Sequence, residues 1–187
     1  MRAFTRAAKR AGVEFMVIGG TFRDAVIRAA STRDIDVVLI DQGRDAPLWL
    51  EAAGFERVEG SKYTWRFMVR GRAVDLEIAA IASSKGSGGP FSVAARHAEK
   101  ALIEGVRVAV PRVEDYVILK LLAAASDARR RARDLADVQA ALEAFPERAR
   151  SSLSIAGLRG RLRDAYGIDG LQLRDLVALL RKIPRPA

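Results

Sequence analysis

Val17-Ile18-Gly19-Gly20-Thr21-Phe22-Arg23-Asp24, and then, with thirteen residues between Gly20 and Asp34, Asp34-Ile35-Asp36-Val37-Val38, is the stretch that decides the fold. The first piece reads as a short apolar strand running into a glycine turn and a helix. The second reads as a strand whose Asp34 and Asp36 alternate with apolar residues, so both carboxylates leave one face about 7 Å apart along it. Two like charges so placed repel, and burying unpaired carboxylates costs several kcal/mol, whereas a divalent cation between them turns that cost into binding. Two glycines at a strand-to-helix turn let the backbone approach a phosphate closely, and the amide groups of a helix N-terminus bind an anion.

Working outward, Thr5–Gly12 has helical spacing and Glu14–Ile18 is the strand that enters the turn. Thr21 is placed to cap the next helix, with Asp24 in its first turn and Phe22, Val26 and Ile27 on one side. Ser31-Thr32 breaks that helix, and Arg33–Ile40 returns as a strand. A helix over Ala46–Ala53, closed by Gly54, precedes three strand-like runs, Phe55–Glu59, Tyr63–Arg70 and Ala73–Ala80, the last two linked as a hairpin through Gly71-Arg72. Ser83–Pro90 is low in complexity and reads as a mobile loop, suitably placed for a flap over an acceptor. A short helix containing His97 and a strand Val106–Val110 follow.

From Pro111 onward the pattern is helical, with apolar seams at Val113, Val117, Leu121 and Ala124, at Leu135, Val138, Leu142 and Phe145, and at Leu173, Leu176, Val177 and Leu180. The expected fold is therefore α+β: a mixed β-sheet core with helices over 1–110, and a helical bundle over 111–187 packed on it.

Composition narrows the chemistry. There is no cysteine and a single histidine, so neither a disulfide framework nor a thiolate or imidazole metal site is available and any metal must be held by oxygen. No apolar run approaches the roughly 20 residues of a membrane span, and the first residues lack a signal peptide's apolar core, which predicts a soluble, cytoplasmic protein away from membranes. The net charge is +9, from 32 basic and 23 acidic residues, with only six lysines among the basic ones. Between 128 and 163 nine arginines face four acids, a pattern that suits either a solvated surface or a polyanion-binding one. His97 has no nucleophile nearby to activate and reads as an ordinary histidine.

A third acid completes the pattern. Asp75, in Val74-Asp75-Leu76, sits on a later strand and shares a strand face with Glu77. Three carboxylates on adjacent strands can hold two magnesium ions, which neutralise a triphosphate, activate an acceptor hydroxyl and stabilise a leaving pyrophosphate.

On these residues the chain resembles the DNA polymerase β-like nucleotidyltransferase superfamily, whose signature is an apolar residue, Gly-Gly or Gly-Ser, a short helix, Asp-x-Asp or Asp-x-Glu, and a later third acid. Gly19, Gly20, Asp34, Asp36 and Asp75 occupy those positions. The superfamily pattern favours Asp75 over Glu77 as third ligand. Pro111, Glu114-Asp115, Lys120, Ala123 and Arg133-Asp134-Leu135-Ala136-Asp137 are similar to the second signature of minimal, AbiEii-type bacterial members, in which the helix lysine faces the nucleotide phosphates. Lys120 shares its helix face with Val113, Tyr116 and Ala124, the packed side, where a charge needs an anionic partner. Gly19 to Asp24 also looks like the Gly-Gly-x-x-Arg-Asp opening of CCA-adding enzymes, a local likeness without those enzymes' additional helical domains.

The resemblance implies a Mg2+-dependent nucleotidyltransferase. Asp34, Asp36 and Asp75 would hold the metals, and Gly19, Gly20, Thr21 and Lys120 the phosphates of a nucleoside triphosphate. Arg23 either joins them or bridges to Asp24, and Arg133 and Asp137 have the spacing of an ordinary helical ion pair. The resemblance leaves three acceptor classes open, and the basic surface favours an RNA, a tRNA 3′ end in a toxin–antitoxin-like setting. A partner protein to be adenylylated and a small molecule such as an antibiotic stay open beside it. So does a non-catalytic module that binds a cognate toxin or antitoxin.

Overall fold

The computed structural model describes residues 1–28, 32, 34–41, 48–85 and 88–185, and among these the apolar runs of the first 110 residues form one seven-stranded sheet. Its strands are β1 (Glu14–Val17), β2 (Asp34–Ile40), β3 (Glu56–Arg57), β4 (Thr64–Val69), β5 (Arg72–Ala82), β6 (Glu99–Ile103) and β7 (Val106–Val110), in the order β3-β4-β5-β2-β1-β7-β6. β2 runs parallel to β5 and β1 parallel to β7, while the other neighbours are antiparallel, so the sheet is mixed and the fold is α+β. Parallel strands need a long crossover, and the segment between β2 and β5 provides it. That crossover puts the two acid-bearing strands side by side at the middle of the sheet.

Helices α1 (Arg2–Arg10), α2 (Gly19–Phe22), α3 (Leu48–Ala52) and α4 (Pro90–Arg96) accompany the sheet. Phe4 on α1 is fully buried, its ring edge-on to Phe15 at 4.7 Å and to Phe55 at 6.4 Å, and Phe55 meets Phe67 at 4.7 Å. These rings join α1 to strands β1 and β4, each pair adding about 0.5–1.5 kcal/mol beyond the burial itself.

The structure departs from the sequence reading in several places. The β4–β5 link is Arg70-Gly71, not Gly71-Arg72: both residues have positive φ (49° and 76°), and Val69 pairs with Arg72. Left-handed φ at both central positions is what a two-residue hairpin with native twist requires. The same device at Glu104 (φ 49°) and Gly105 (φ 74°) closes a second hairpin and creates β6, a strand the sequence reading lacked. The run Phe55–Glu59 shrinks to the two residues of β3, because Phe55 turns into the aromatic cluster. The helix ahead of His97 ends at Arg96, with His97 as its cap.

Thr21 does not cap a helix. The N-cap of α2 is Ile18, and after one turn the chain passes into a π-helical turn, Arg23–Ile27. Beyond β5, the Ser83 N–H donates to Ser92 Oγ at 2.8 Å and Ser84 is tied to Asp41 through its N–H and hydroxyl, so the start of the expected loop is anchored. Ser31, Arg33, Ala46-Pro47 and Gly86-Ser87, which belong to the expected break, strand, helix and loop, lie outside the described residues.

The chain divides into two compact units, Met1–Pro111 and Arg112–Ala187. The second contains α5 (Val113–Ser126), α6 (Arg131–Ala144), α7 (Pro146–Arg150), α8 (Ile155–Asp164) and α9 (Gly170–Arg181). Helix α5 is central, touching α6, α8 and α9. Val117, Leu121 and Ala124 of α5, Val138 and Leu142 of α6, Leu158 and Leu162 of α8, and Leu176 and Leu180 of α9 form its core. Ser154 caps α8, its hydroxyl accepting from the Gly157 N–H at 3.0 Å. Among the described residues no helix is long and apolar enough to cross a membrane.

Candidate active site

Register places the acids. On the parallel pair β2–β5, Asp34 stands opposite Asp75 and Asp36 opposite Glu77. Register partners share a sheet face, so four carboxylates line the same face of two neighbouring strands. Ile35, Val37, Leu76 and Ile78 point the other way and are buried. The apolar alternation that anchors these strands is therefore what turns the acids outward.

The glycine turn is fastened to the same strand. The Ile18 N–H donates to the Asp36 carbonyl at 2.9 Å, and the Gly20 N–H donates to Asp36 Oδ2 at 3.2 Å. Gly19 has φ +60°, and a Cβ there would collide with the Asp36 carboxylate; a Cβ on Gly20 would come within 2.6 Å of Thr32 Oγ1. Both positions therefore demand glycine, Gly19 for conformation and space together. Thr21 Oγ1 and Thr32 Oγ1 both donate to the Asp34 carbonyl, at 3.1 and 3.3 Å. Turn, helix start and first acid form one hydrogen-bonded unit.

Arg23 lies beside its neighbour, Nε and Nη2 reaching Asp24 Oδ1 at 3.1 and 3.0 Å, the bridge expected as one of its two readings. Asp75 is held by a two-toothed ion pair: Arg66 Nε to Oδ1 at 2.7 Å and Nη2 to Oδ2 at 3.0 Å. The Arg66 hydrogen bonds and charge hold the Asp75 carboxyl below the usual carboxylate range, and the same pair raises the Arg66 guanidinium. Lys120 lies in the helical unit, where its Nζ bridges Asp134 at 2.9 Å and Asp137 at 2.7 Å, both buried. The anionic partner that its packed position called for is thus supplied by α6.

Sequence reasoning missed Arg66. A two-residue link at Gly71-Arg72 pairs Asp75 with Met68, whereas the observed link one residue earlier pairs it with Arg66. Moving a two-residue turn by one position moves every cross-strand partner by two, which keeps the face and changes the residue. Placing Gly71 second in the turn, as Asn-Gly-like hairpins do, was the available signal.

The donor set fits magnesium: hard carboxylate oxygens on two adjacent strands, with Asp36 already pinned and Asp34 exposed. Among the described residues no three acidic, histidine or cysteine side chains are gathered tightly enough to form a metal cluster, and Asp75 is turned to Arg66. The backbone has brought the acids into register; the side chain of Asp75 is engaged by Arg66.

The mixed sheet and its helices form a fold that solved nucleotidyltransferase-like proteins also have. Solved structures that share it are the antibiotic-resistance factor ANT(2″)-Ia in solution (18% identity, TM-score 0.53, covering 89% of this chain and 90% of that one), ANT(2″)-Ia crystallised with adenylyl-2″-tobramycin (16%, 0.53, 96% and 94%), and an antigenic nucleotidyltransferase-like protein from Paracoccidioides brasiliensis (15%, 0.54, 98% and 91%). At these identities the likeness is one of fold. Neither a family model nor a curated protein matches the sequence.

Proposed function

We propose that the chain is a magnesium-dependent nucleotidyltransferase of the polymerase β-like type, moving a nucleoside monophosphate from a triphosphate to an acceptor hydroxyl. The observation that carries this reading is the register of Asp34 with Asp75, combined with the Gly20 N–H on Asp36. Asp34, Asp36 and Asp75 would hold the metal. When bound, magnesium neutralises the triphosphate and acidifies the acceptor hydroxyl. Gly19 and Gly20 let the backbone approach the phosphates, and Thr21, by fastening the turn to Asp34, holds that approach in place. The acceptor oxygen bonds to the α-phosphorus, the bond from that phosphorus to the β-phosphate oxygen breaks, pyrophosphate leaves, and the acceptor proton passes to Asp75.

Two acceptors compete. The basic balance of the chain supports an RNA 3′ end, yet much of the arginine cluster is engaged internally: Arg130 with Asp134, Arg148 with Glu114, Arg161 with Asp115 and Arg131 with the Ala124 carbonyl. The acidic sheet face supports a polyhydroxylated, cationic small molecule instead, and a protein of this fold has been solved with adenylyl-2″-tobramycin. Incubating the protein with Mg2+, labelled triphosphates and, separately, tRNA, cell-extract protein and aminoglycosides distinguishes them. Labelling of aminoglycoside alone selects the small-molecule reading, labelling of tRNA alone the RNA reading. If Mg2+ with any nucleoside triphosphate fails to raise the melting temperature of the wild type, nucleotidyl transfer itself is wrong.

A further inference from the structure

A row of register partners crosses four strands on the acidic face: Glu56 of β3, Arg66 of β4, Asp75 of β5 and Asp34 of β2. Directly opposed residues on one face have Cβ atoms about 4.5–5.5 Å apart, within reach of a long side chain on either side. Arg66 therefore stands between two acids, and Glu56, like Asp75, raises its pKa. In the structure its fork closes on Asp75, taking both carboxylate oxygens, and all of this happens at an exposed part of the sheet.

We infer that Arg66 is a positioning residue for the third carboxylate and works as a two-position latch. In the metal-free protein it holds the Asp75 carboxylate by both oxygens, on the β4 side of the strand rather than toward its like-charged neighbour Asp34. When a divalent cation is taken up, Asp75 turns to it, and the guanidinium swings across the row to Glu56. A carboxylate whose two oxygens both accept from a guanidinium has its inner lone pairs and much of its charge engaged, so a metal gains less from it until the fork lets go, and the two partners compete for one group. Glu56 lowers the cost of the exchange, because Arg66 leaves one acid for another rather than for solvent. The row thus couples metal uptake to the arrangement of the β3–β4 edge, and the released arginine stays on the face where an anionic substrate arrives.

The inference rests on the proposed metal role of Asp75, and its test separates the two. Mn2+ affinity, without nucleotide, is measured by calorimetric titration and by loss of free Mn2+ paramagnetic signal, for wild type, Arg66→Ala, Arg66→Gln, Glu56→Gln, Asp75→Asn and the doubles. Arg66→Ala and Arg66→Gln are expected to tighten Mn2+ binding roughly threefold to fivefold, the range of exposed ion pairs. Glu56→Gln is expected to weaken binding about twofold, since Arg66 then has Asp75 as its only acidic register neighbour. Both effects must vanish when the other end is removed: no tightening by Arg66→Ala in Asp75→Asn, and no weakening by Glu56→Gln in Arg66→Ala. Equal tightening with and without Asp75 would mean simple charge repulsion and overturn the latch, as would unchanged or weaker binding in Arg66→Ala. Absence of Mn2+ binding by the wild type would instead remove the metal role itself. Arg66 is exposed, and a melting temperature close to wild type in both Arg66 variants verifies that folding is intact.

Discussion

The two units of this chain handle their acids in opposite ways. In the helical unit the buried acids are each matched: Asp115 to Arg161, Nε and Nη2 at 2.8 and 2.6 Å, with the Tyr166 hydroxyl at 2.8 Å; Asp134 and Asp137 to Lys120; Glu114 to Arg148 and to the Ser152 hydroxyl at 2.5 Å. Burial, with Asp115 beside it, drives the Tyr166 hydroxyl pKa far upward, so it stays a donor to that carboxylate. On the sheet face acids stand opposite acids, Asp34 by Asp75 and Asp36 by Glu77. A matched buried charge stabilises a fold or fixes its register; like charges in register are destabilising for the fold alone. On the function proposed above, the first set is architecture and the second is a site.

The sharpest way to break that contrast is to neutralise one acid of each kind. Asp36→Asn removes a proposed metal ligand whose contribution is several kcal/mol of transition-state stabilisation, so nucleotidyl transfer should fall by about a thousandfold or more. The melting temperature without ligand should hold or rise, because a like-charge opposition is relieved while the carboxamide oxygen can still accept from Gly20. Steady-state rates and thermal unfolding check both halves. A variant that loses its fold along with its activity would place Asp36 among the structural acids.

Asp115→Asn is the mirror experiment. Breaking a buried pair from one side leaves Arg161 and Tyr166 without their carboxylate, and costs about 3–5 kcal/mol. Urea unfolding should show the loss directly, as a lower midpoint with an unchanged slope. Should stability stay at the wild-type level, the buried pairs of the helical unit are not what holds its helices in place.

How far the sequence announced this contrast depends on how local each signal is. The glycine turn and the Asp34–Asp36 strand were legible because period-two alternation and a Gly-Gly pair are properties of a few adjacent residues. So were the seams of α5, α6 and α9, where Val117, Leu121, Val138, Leu142, Leu176 and Leu180 are all buried. The position of the Arg70-Gly71 turn was less so, because Gly71 fits a tight turn in either place and its preference for the second position is a weak signal beside the register of the whole hairpin. β6 was missed for the same reason: Glu104-Gly105 closes it through a left-handed glutamate, which sequence alone ranks poorly. Partner choice is the least local property of all. Lys120 reads equally well as a phosphate ligand or as a structural ion, and it is residues 14 and 17 positions downstream, Asp134 and Asp137, that pair with it. Glu114 and Asp115 likewise find Arg148 and Arg161 across two later helices, at separations no motif encodes.

Gly19→Ala sharpens the site half of the comparison. Alanine at φ +60° costs about 1–2 kcal/mol in backbone strain, and its Cβ would displace the Asp36 carboxylate from the Gly20 N–H. The expected outcome is a modestly lower melting temperature together with loss of the further rise expected of the wild type with Mg2+ and a nucleoside triphosphate. A variant destabilised by strain alone, with that ligand-dependent rise intact, would show that the turn fixes the chain but does not meet the phosphates.

The helical unit offers the smallest and most selective test, through pH. Burial pushes the Glu114 carboxyl up, but the Ser152 hydroxyl, a backbone N–H and the charges of Arg148 and Arg161 outweigh it, and the net effect leaves Glu114 below its ordinary value. A carboxyl depressed in the folded state binds protons more readily when unfolded, so it contributes stability that is fully present above the ordinary glutamate range and is lost as pH falls through the lower native value. Glu114→Gln should therefore cost about 1 kcal/mol at neutral pH, the scale of one charged hydrogen-bond set at a half-buried site, and the difference from wild type should shrink steadily between about pH 6 and pH 3. Denaturant unfolding at a series of pH values measures it. On the sheet face, Asp75→Asn gives the contrasting curve: Asp75 is also depressed, by an exposed Arg66, and salt should erase its pH dependence while leaving that of Glu114 largely intact, since screening acts on exposed pairs far more than on buried ones. Equal salt sensitivity at the two positions would mean that the acids of the two units differ in their neighbours but not in their environment.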